Sequence, residues 1–183
     1  MLFRSRREAE AAVFMTDARV IWSERIDPER FEALIGELLM REPGMHWVRQ
    51  VGATREPDDR RDFLAEWSTP PVGLMTQGVA DGMSSPNQRL RVIVQVKVRG
   101  RGVGRSDLTG IRDTIEHHDV SGMLVVGFPN LTVQLSDHLD RLRRGQRFWI
   151  DWWGRPEIDL RLRRNPELTK RYTDLVAFSR PSA

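Results

Sequence analysis

The sequence predicts an α/β domain: a central mixed β-sheet flanked by helices. Three observations lead there. Segments of strand and helix period alternate through the second half of the chain, an order that gives a layered and at least partly parallel sheet. An amphipathic helix with complete start and stop signals lies near residue 30. A long strand follows at about 90–98, with an unbroken alternation of side chains.

The helix is the best-marked element. Asp27 stands at the N-cap position and Pro28 at the first helical position, where a missing N–H costs nothing. Phe31, Leu34, Ile35, Leu38 and Leu39 follow at helical spacing, and Pro43-Gly44 stops the run. Before it, residues 5–13 read as a short polar helix and 18–22 as a strand. After it the period changes to two: residues 46–51 and 62–67 are predicted strands, joined by a charged turn at 55–61. Residues 68–89 hold prolines, glycines and paired serines without a period, and read as a long, mobile loop.

In the 90–98 strand Leu90, Val92, Val94, Val96 and Val98 occupy one face, and Arg91, Ile93, Gln95 and Lys97 the other. A glycine-rich turn then leads to Ser106, an N-cap for a predicted helix carrying Leu108, Ile111 and Ile115 and ending near His118-Asp119. A strand at 122–127, a helix with Leu135, Leu139 and Leu142 on one face, a strand at 147–152 and a basic helical tail complete the reading. The expected organisation is an N-terminal helix and strand at 1–26, a core at 27–153 and a basic helical extension at 154–183.

Composition sets the outer bounds. The chain has 183 residues, 39% hydrophobic and 30% charged, the mixture of one soluble globular domain. It has no cysteine, which excludes disulfides and zinc ribbons and suits a reducing cytoplasm. No apolar run approaches the roughly 20 residues of a membrane span, and no signal-like stretch follows Arg4, Arg6 and Arg7. The net charge is only +3, but arginines gather at Arg99, Arg101 and Arg105, at Arg141, Arg143, Arg144 and Arg147, and at Arg155, Arg161, Arg163 and Arg164. Such clusters neutralise nucleic-acid phosphates or simply solvate a helix face. They do not identify an enzyme.

The chemistry sits in an acid at the start of one strand and Gln-x-Lys on the next. Lys97 is an ionisable group on an otherwise apolar strand, costly to bury unless charge or water is near. Pairing the two strands would bring Asp62, Gln95 and Lys97 together. A carboxylate anchors a hard cation such as Mg²⁺, which prefers oxygen ligands. The Gln95 amide supplies another oxygen or orients a water. Lys97 then stabilises the negative charge added at a phosphate during hydrolysis.

This set, in its order, resembles the Mrr-like restriction endonucleases of the PD-(D/E)xK superfamily, in which Gln-x-Lys replaces Glu-x-Lys. Phe31-Glu32-Ala33-Leu34-Ile35 is similar to the family's opening Phe-Glu helix, Asp59-Arg60-Arg61-Asp62-Phe63 to its Asp-Gly-Gly-x-Asp turn, and Val94-Gln95-Val96-Lys97 to its catalytic strand. Gly122-Met123-Leu124-Val125-Val126 falls where the family has a further core strand. Two features depart: Arg60 and Arg61 stand in place of the turn glycines, and 68–89 lengthens the connection. The resemblance implies a restriction-endonuclease-like three-layer fold and a Mg²⁺-dependent DNA endonuclease, with Mn²⁺ able to substitute, in bacterial restriction or antiphage defence. It implies Asp62, Gln95 and Glu32 as metal ligands and Lys97 at the scissile phosphate. It also implies DNA as partner, a recognition or sensor domain or protein, and a homodimer for double-strand cleavage. Arg99, Arg101 and Arg105 are candidate DNA contacts.

Competing readings accompany each residue. Glu32 is equally a solvated helix glutamate, and Lys97 an edge-strand lysine. Asp58 and Asp59 are turn formers, and Glu66, on the Asp62 face, is a weaker ligand. His117 and His118 fit a helix C-terminus as well as a metal. Trp149, Trp152 and Trp153 are core or interface residues before they are base-stacking platforms, with Trp149 in the core. For the whole chain the rivals are an inactive nucleic-acid-binding module and a protein-interaction domain.

Overall fold

The computed structural model describes residues 19–51, 62–68, 89–145 and 147–179. The expected helix at 5–13, the turn at 55–61 with Asp58 and Asp59, and nearly all of the 68–89 loop lie outside the described residues.

Local sequence signals set the first elements. Strand β1 (Arg19–Trp22) precedes helix α1 (Pro28–Leu39), where the Asp27 carboxylate accepts from the Arg30 N–H at 2.8 Å. All five predicted apolar residues of α1 are buried, each contributing roughly 1.5–3 kcal/mol. Strands β2 (Met45–Gln50), β3 (Phe63–Trp67), β4 (Leu90–Val98), β5 (Gly122–Phe128) and β6 (Trp149–Trp153) form one sheet in the order β2-β3-β4-β5-β6. β3 runs antiparallel to both of its neighbours, β2 and β4, and β4-β5-β6 run parallel. The mixed sheet of the prediction is therefore present.

The alternation in β4 holds. Leu90, Val92, Val94 and Val96 enter a core with α1, while Ile93 enters a second core across the sheet. Helices α2 (Ile111–His117) and α3 (Val133–Arg144) cover that second face through Ile111, Ile115, Leu135 and Leu139. Helices α4 (Arg155–Arg164) and α5 (Glu167–Arg171) add Ile158, Leu162 and Leu168 to the first core. The result is helices, sheet, helices. Among the described residues no helix is long and apolar enough to cross a membrane.

Two expectations need correction. Ser106 does not open a helix: Arg105–Asp107 is one 3-10 turn, and α2 begins only after Gly110. Asp107 spends its carboxylate on the Gly104 N–H at 2.8 Å and on Arg99 Nε at 2.7 Å, and Gly110, at φ 66°, turns the chain before the helix. The basic tail, expected to be helical, ends in a further strand, β7 (Val176–Ser179), antiparallel to β1. Its partner lies more than 150 residues away, so no local pattern announces it. Trp22 Nε1 donates to Asp159 Oδ1 at 2.7 Å, tying this ribbon to α4.

Candidate active site

The site lies where β3 ends alongside β4. The last β3–β4 pair is Phe63 with Val94, so β4 runs on past its neighbour. Asp62, one residue before β3, fills that gap: its N–H donates to Val94 O at 3.0 Å, and its Oδ2 accepts from Val96 N at 2.5 Å. The carboxylate thus occupies the edge amide between Gln95 and Lys97. β5 pairs with the other edge of β4, setting Gln95 beside Val125 and Lys97 beside Gly127.

Gln95 is 4% exposed, and its amide has no hydrogen-bond partner among the described residues. Lys97, two residues on and on the same face, is half-buried. Its charge acts on Asp62, on Glu32 and on Asp107.

Glu32 approaches from α1, across the sheet. Gln50, at the end of β2, donates its Nε2–H to Glu32 Oε1 at 2.8 Å, and the Asp62 charge reaches Glu32 as well. Burial raises the Glu32 pKa above its ordinary value; Asp62 raises it further, while Gln50 and Lys97 oppose. Burial also raises Asp62, opposed by the Val96 N–H and by Lys97. Among the described residues neither carboxylate has an ion-pair partner within 4.0 Å. No three His, Asp or Glu side chains among the described residues are placed to hold a metal. The acidic content of the site is the Glu32–Asp62 pair.

The structure therefore brings Asp62, Gln95 and Lys97 to one end of the sheet and adds Glu32 to their field. It separates the weaker candidates. Glu66 sits at the far end of β3, salt-bridged to Arg89 at 3.0 Å. His117 and His118 stack edge-to-face at the end of α2, their ring centroids 4.8 Å apart. Trp149 and Trp153 are core residues, and Trp152 lies under the Arg143 guanidinium, 4.6 Å from its ring centroid. Of the candidate DNA contacts, Arg99 is tied to Asp107, whereas Arg101 and Arg105 are exposed. Sequence reasoning missed Gln50, whose role depends wholly on where β2 ends, and Asp107, which carries no motif.

With this geometry in hand, comparison with known proteins adds one match. A family model described as restriction endonuclease, of the Mrr catalytic type, covers residues 23–134, from just before α1 to the start of α3. No curated protein and no solved structure matches the chain.

Proposed function

Because the chain belongs to the Mrr-like restriction endonuclease family of the PD-(D/E)xK superfamily, we propose that this restriction-type nuclease hydrolyses DNA phosphodiester bonds with Mg²⁺ or Mn²⁺, using Asp62, Glu32, Gln95 and Lys97. The carrying observation is the convergence of a desolvated Asp62 carboxylate, the buried Gln95 and the half-buried Lys97, which has no ion pair among the described residues, at one strand end.

The donor set fits a hard divalent cation. Two carboxylates that burial disfavours as anions, with no ion pair among the described residues, gain from a cation. Asp62 and Glu32 would hold it, with Gln95 Oε1 as a neutral oxygen donor. When bound, such an ion polarises a phosphate and lowers the pKa of water.

The protein's own groups supply the rest. Lys97 sits beside Asp62 and offers its ammonium to the phosphate oxygens, where negative charge grows as water adds to phosphorus and the P–O ester bond breaks. The Asp62–Val96 hydrogen bond fixes the carboxylate to the strand that carries Lys97, so base of attachment and cation site move together. Gln50 holds the Glu32 carboxylate through its amide N–H, within the field of Asp62. A setting in bacterial restriction or antiphage defence follows from the family. One such site cuts one strand, so duplex scission calls for a homodimer, and target choice for a recognition domain or protein.

The test is cleavage of supercoiled plasmid in Mg²⁺ or Mn²⁺ by wild type, Asp62→Ala and Lys97→Ala. Nicking or linearisation that both variants and EDTA abolish is the expected outcome. Equal activity in the variants overturns the site. DNA binding that persists unchanged in EDTA without any cleavage favours the inactive binding module instead.

A further inference from the structure

A groove of about 680 Å³ lies between the 3-10 turn, α2 and α3, the two helices that cover the face of the sheet on which Ile93 and Gln95 sit. Leu108 gives it an apolar floor, and Arg105, Arg112 and His138 line it. Arg141, one turn of α3 from His138, joins them: burial and the charges of Arg105, Arg141 and Arg112 together hold the His138 imidazole below its ordinary pKa. Three guanidinium groups from three elements thus act on one point.

Their own side chains do not explain this arrangement. Arg105, Arg112 and Arg141 are exposed, so packing does not place them, and among the described residues none has an ion-pair partner. Neighbouring arginines differ: Arg99 pairs with Asp107, Arg144 with Asp140, and Arg147 with Glu116. Asp113 is the acidic group of the groove lining, against Arg105 and Arg112 there and Arg141 beside His138. Gathering like charges is unfavourable until an anion arrives.

The groove is also linked to the site. The Arg99–Asp107 ion pair at 2.7 Å pins the 3-10 turn to the end of β4, two residues beyond Lys97. The 3-10 turn that carries Arg105 is thereby held beside the strand end that carries Lys97.

We propose that this groove is a DNA-backbone subsite, in which Arg105, Arg112 and Arg141 bind phosphodiesters flanking the scissile bond. The inference rests on the endonuclease reading above and extends it to how the substrate is held. Phosphate contacts of this kind fix position and supply salt-dependent affinity without reading bases.

The test compares Arg105→Ala/Arg112→Ala/Arg141→Ala with Arg25→Ala/Arg164→Ala/Lys170→Ala, which removes equal charge from exposed positions near the other helical layer. A short DNA duplex is titrated by fluorescence anisotropy in EDTA over a KCl series, and cleavage is followed in Mg²⁺. The groove variant is expected to lose about 10-fold or more in affinity and to flatten the log–log salt slope by about 2–3, near 0.9 per phosphate contact. Its KM rises and kcat stays, while the control variant keeps the wild-type slope. Arg112→Glu alone moves affinity in the same direction, should the triple variant fold poorly. Equal losses in both triple variants, or no loss, overturn the subsite. Inorganic phosphate at millimolar concentration that displaces the duplex completely also overturns it, leaving a small-anion site. Wild type that binds duplex but never cleaves overturns the endonuclease reading while the salt slopes still decide the groove. Wild type that does neither overturns both.

Discussion

Two places in this molecule where carboxylates are drawn out of water are treated in opposite ways. Glu42, just past α1, meets Arg161 of α4: their side chains are 6% and 1% exposed, and Nε lies 2.8 Å from Oε1. The Arg161 Nη2 donates to Oε2 at 3.1 Å, Nη1 to the Glu157 carbonyl at 3.0 Å, and the guanidinium lies 3.6 Å from the Trp153 ring centroid. That charge is paired within the core, although the Arg161 Nε–H, close to Oε1, lacks a well-aligned acceptor among the described residues. At the end of β4, Asp62 and Glu32 lie in each other's field and that of the half-buried Lys97, neither has an ion pair among the described residues, and burial raises both pKa values. The first pair closes the core between α1 and α4. The second leaves electrostatic demand open, and an open demand is what a ligand answers.

The sharpest way to break the contrast is to remove one partner of the matched pair. Glu42→Ala leaves Arg161 charged and buried, and is expected to cost about 3–5 kcal/mol of folding free energy in urea denaturation. A loss below about 1 kcal/mol would show that Glu42 is no more essential than an exposed residue. At the open site the balance should invert. Asp62→Asn keeps an acceptor for the Val96 N–H and removes a disfavoured charge, so stability should change by less than about 1 kcal/mol. Plasmid cleavage should nevertheless fall by about 100-fold or more. Parallel losses of stability and activity would make Asp62 a structural strand-end acceptor.

Asp151 sharpens the comparison with a further desolvated carboxylate. It lies on edge strand β6, 4.0 Å from Arg143, yet burial pushes its pKa from 3.8 up to about 6. The folded state therefore holds this proton more tightly than the unfolded chain. The group carries no penalty below about pH 4, and its penalty grows until the pH passes about 6. The shift corresponds to roughly 3 kcal/mol. Asp151→Asn should raise stability relative to wild type increasingly across that window and by a constant amount above it. A difference that is flat from pH 4 to 7 would remove Asp151 from the account.

The smallest effect is expected at Gln50. Gln50→Ala deletes the neutral donor that holds Glu32, a hydrogen bond worth about 1 kcal/mol, and should weaken Mg²⁺ binding a few-fold by calorimetry. The Glu32 pKa, already raised, rises again without its donor, so the loss should widen as pH falls. Unchanged cation affinity at every pH would place Glu32 outside the metal site.

Several of these elements are written in short stretches of sequence. α1 needs only Asp27, Pro28 and five apolar residues at helical spacing, and the two faces of β4 follow from strict alternation. Gln95 and Lys97 share a face for the same reason, and their motif order with Asp62 and Phe31-Glu32 carried the family before any coordinates. Where a local signal met a competing one, it failed: Ser106 is a good N-cap in isolation, but Asp107 and Gly110 hold the segment in a 3-10 turn and a bend.

What the sequence alone determined, then, was the period of most segments and the candidate site groups, because both depend on residues a few positions apart. The tertiary structure decided which charges meet. Glu32 reaches the Asp62 field only because α1 packs on one face of the sheet and Gln50 ends β2 beside it. β7 finds β1, Arg161 finds Glu42, and Arg105, Arg112 and Arg141 converge on His138, all across long separations. Pairing, burial and electrostatic coupling are properties of distance in space, and distance along the chain does not encode them.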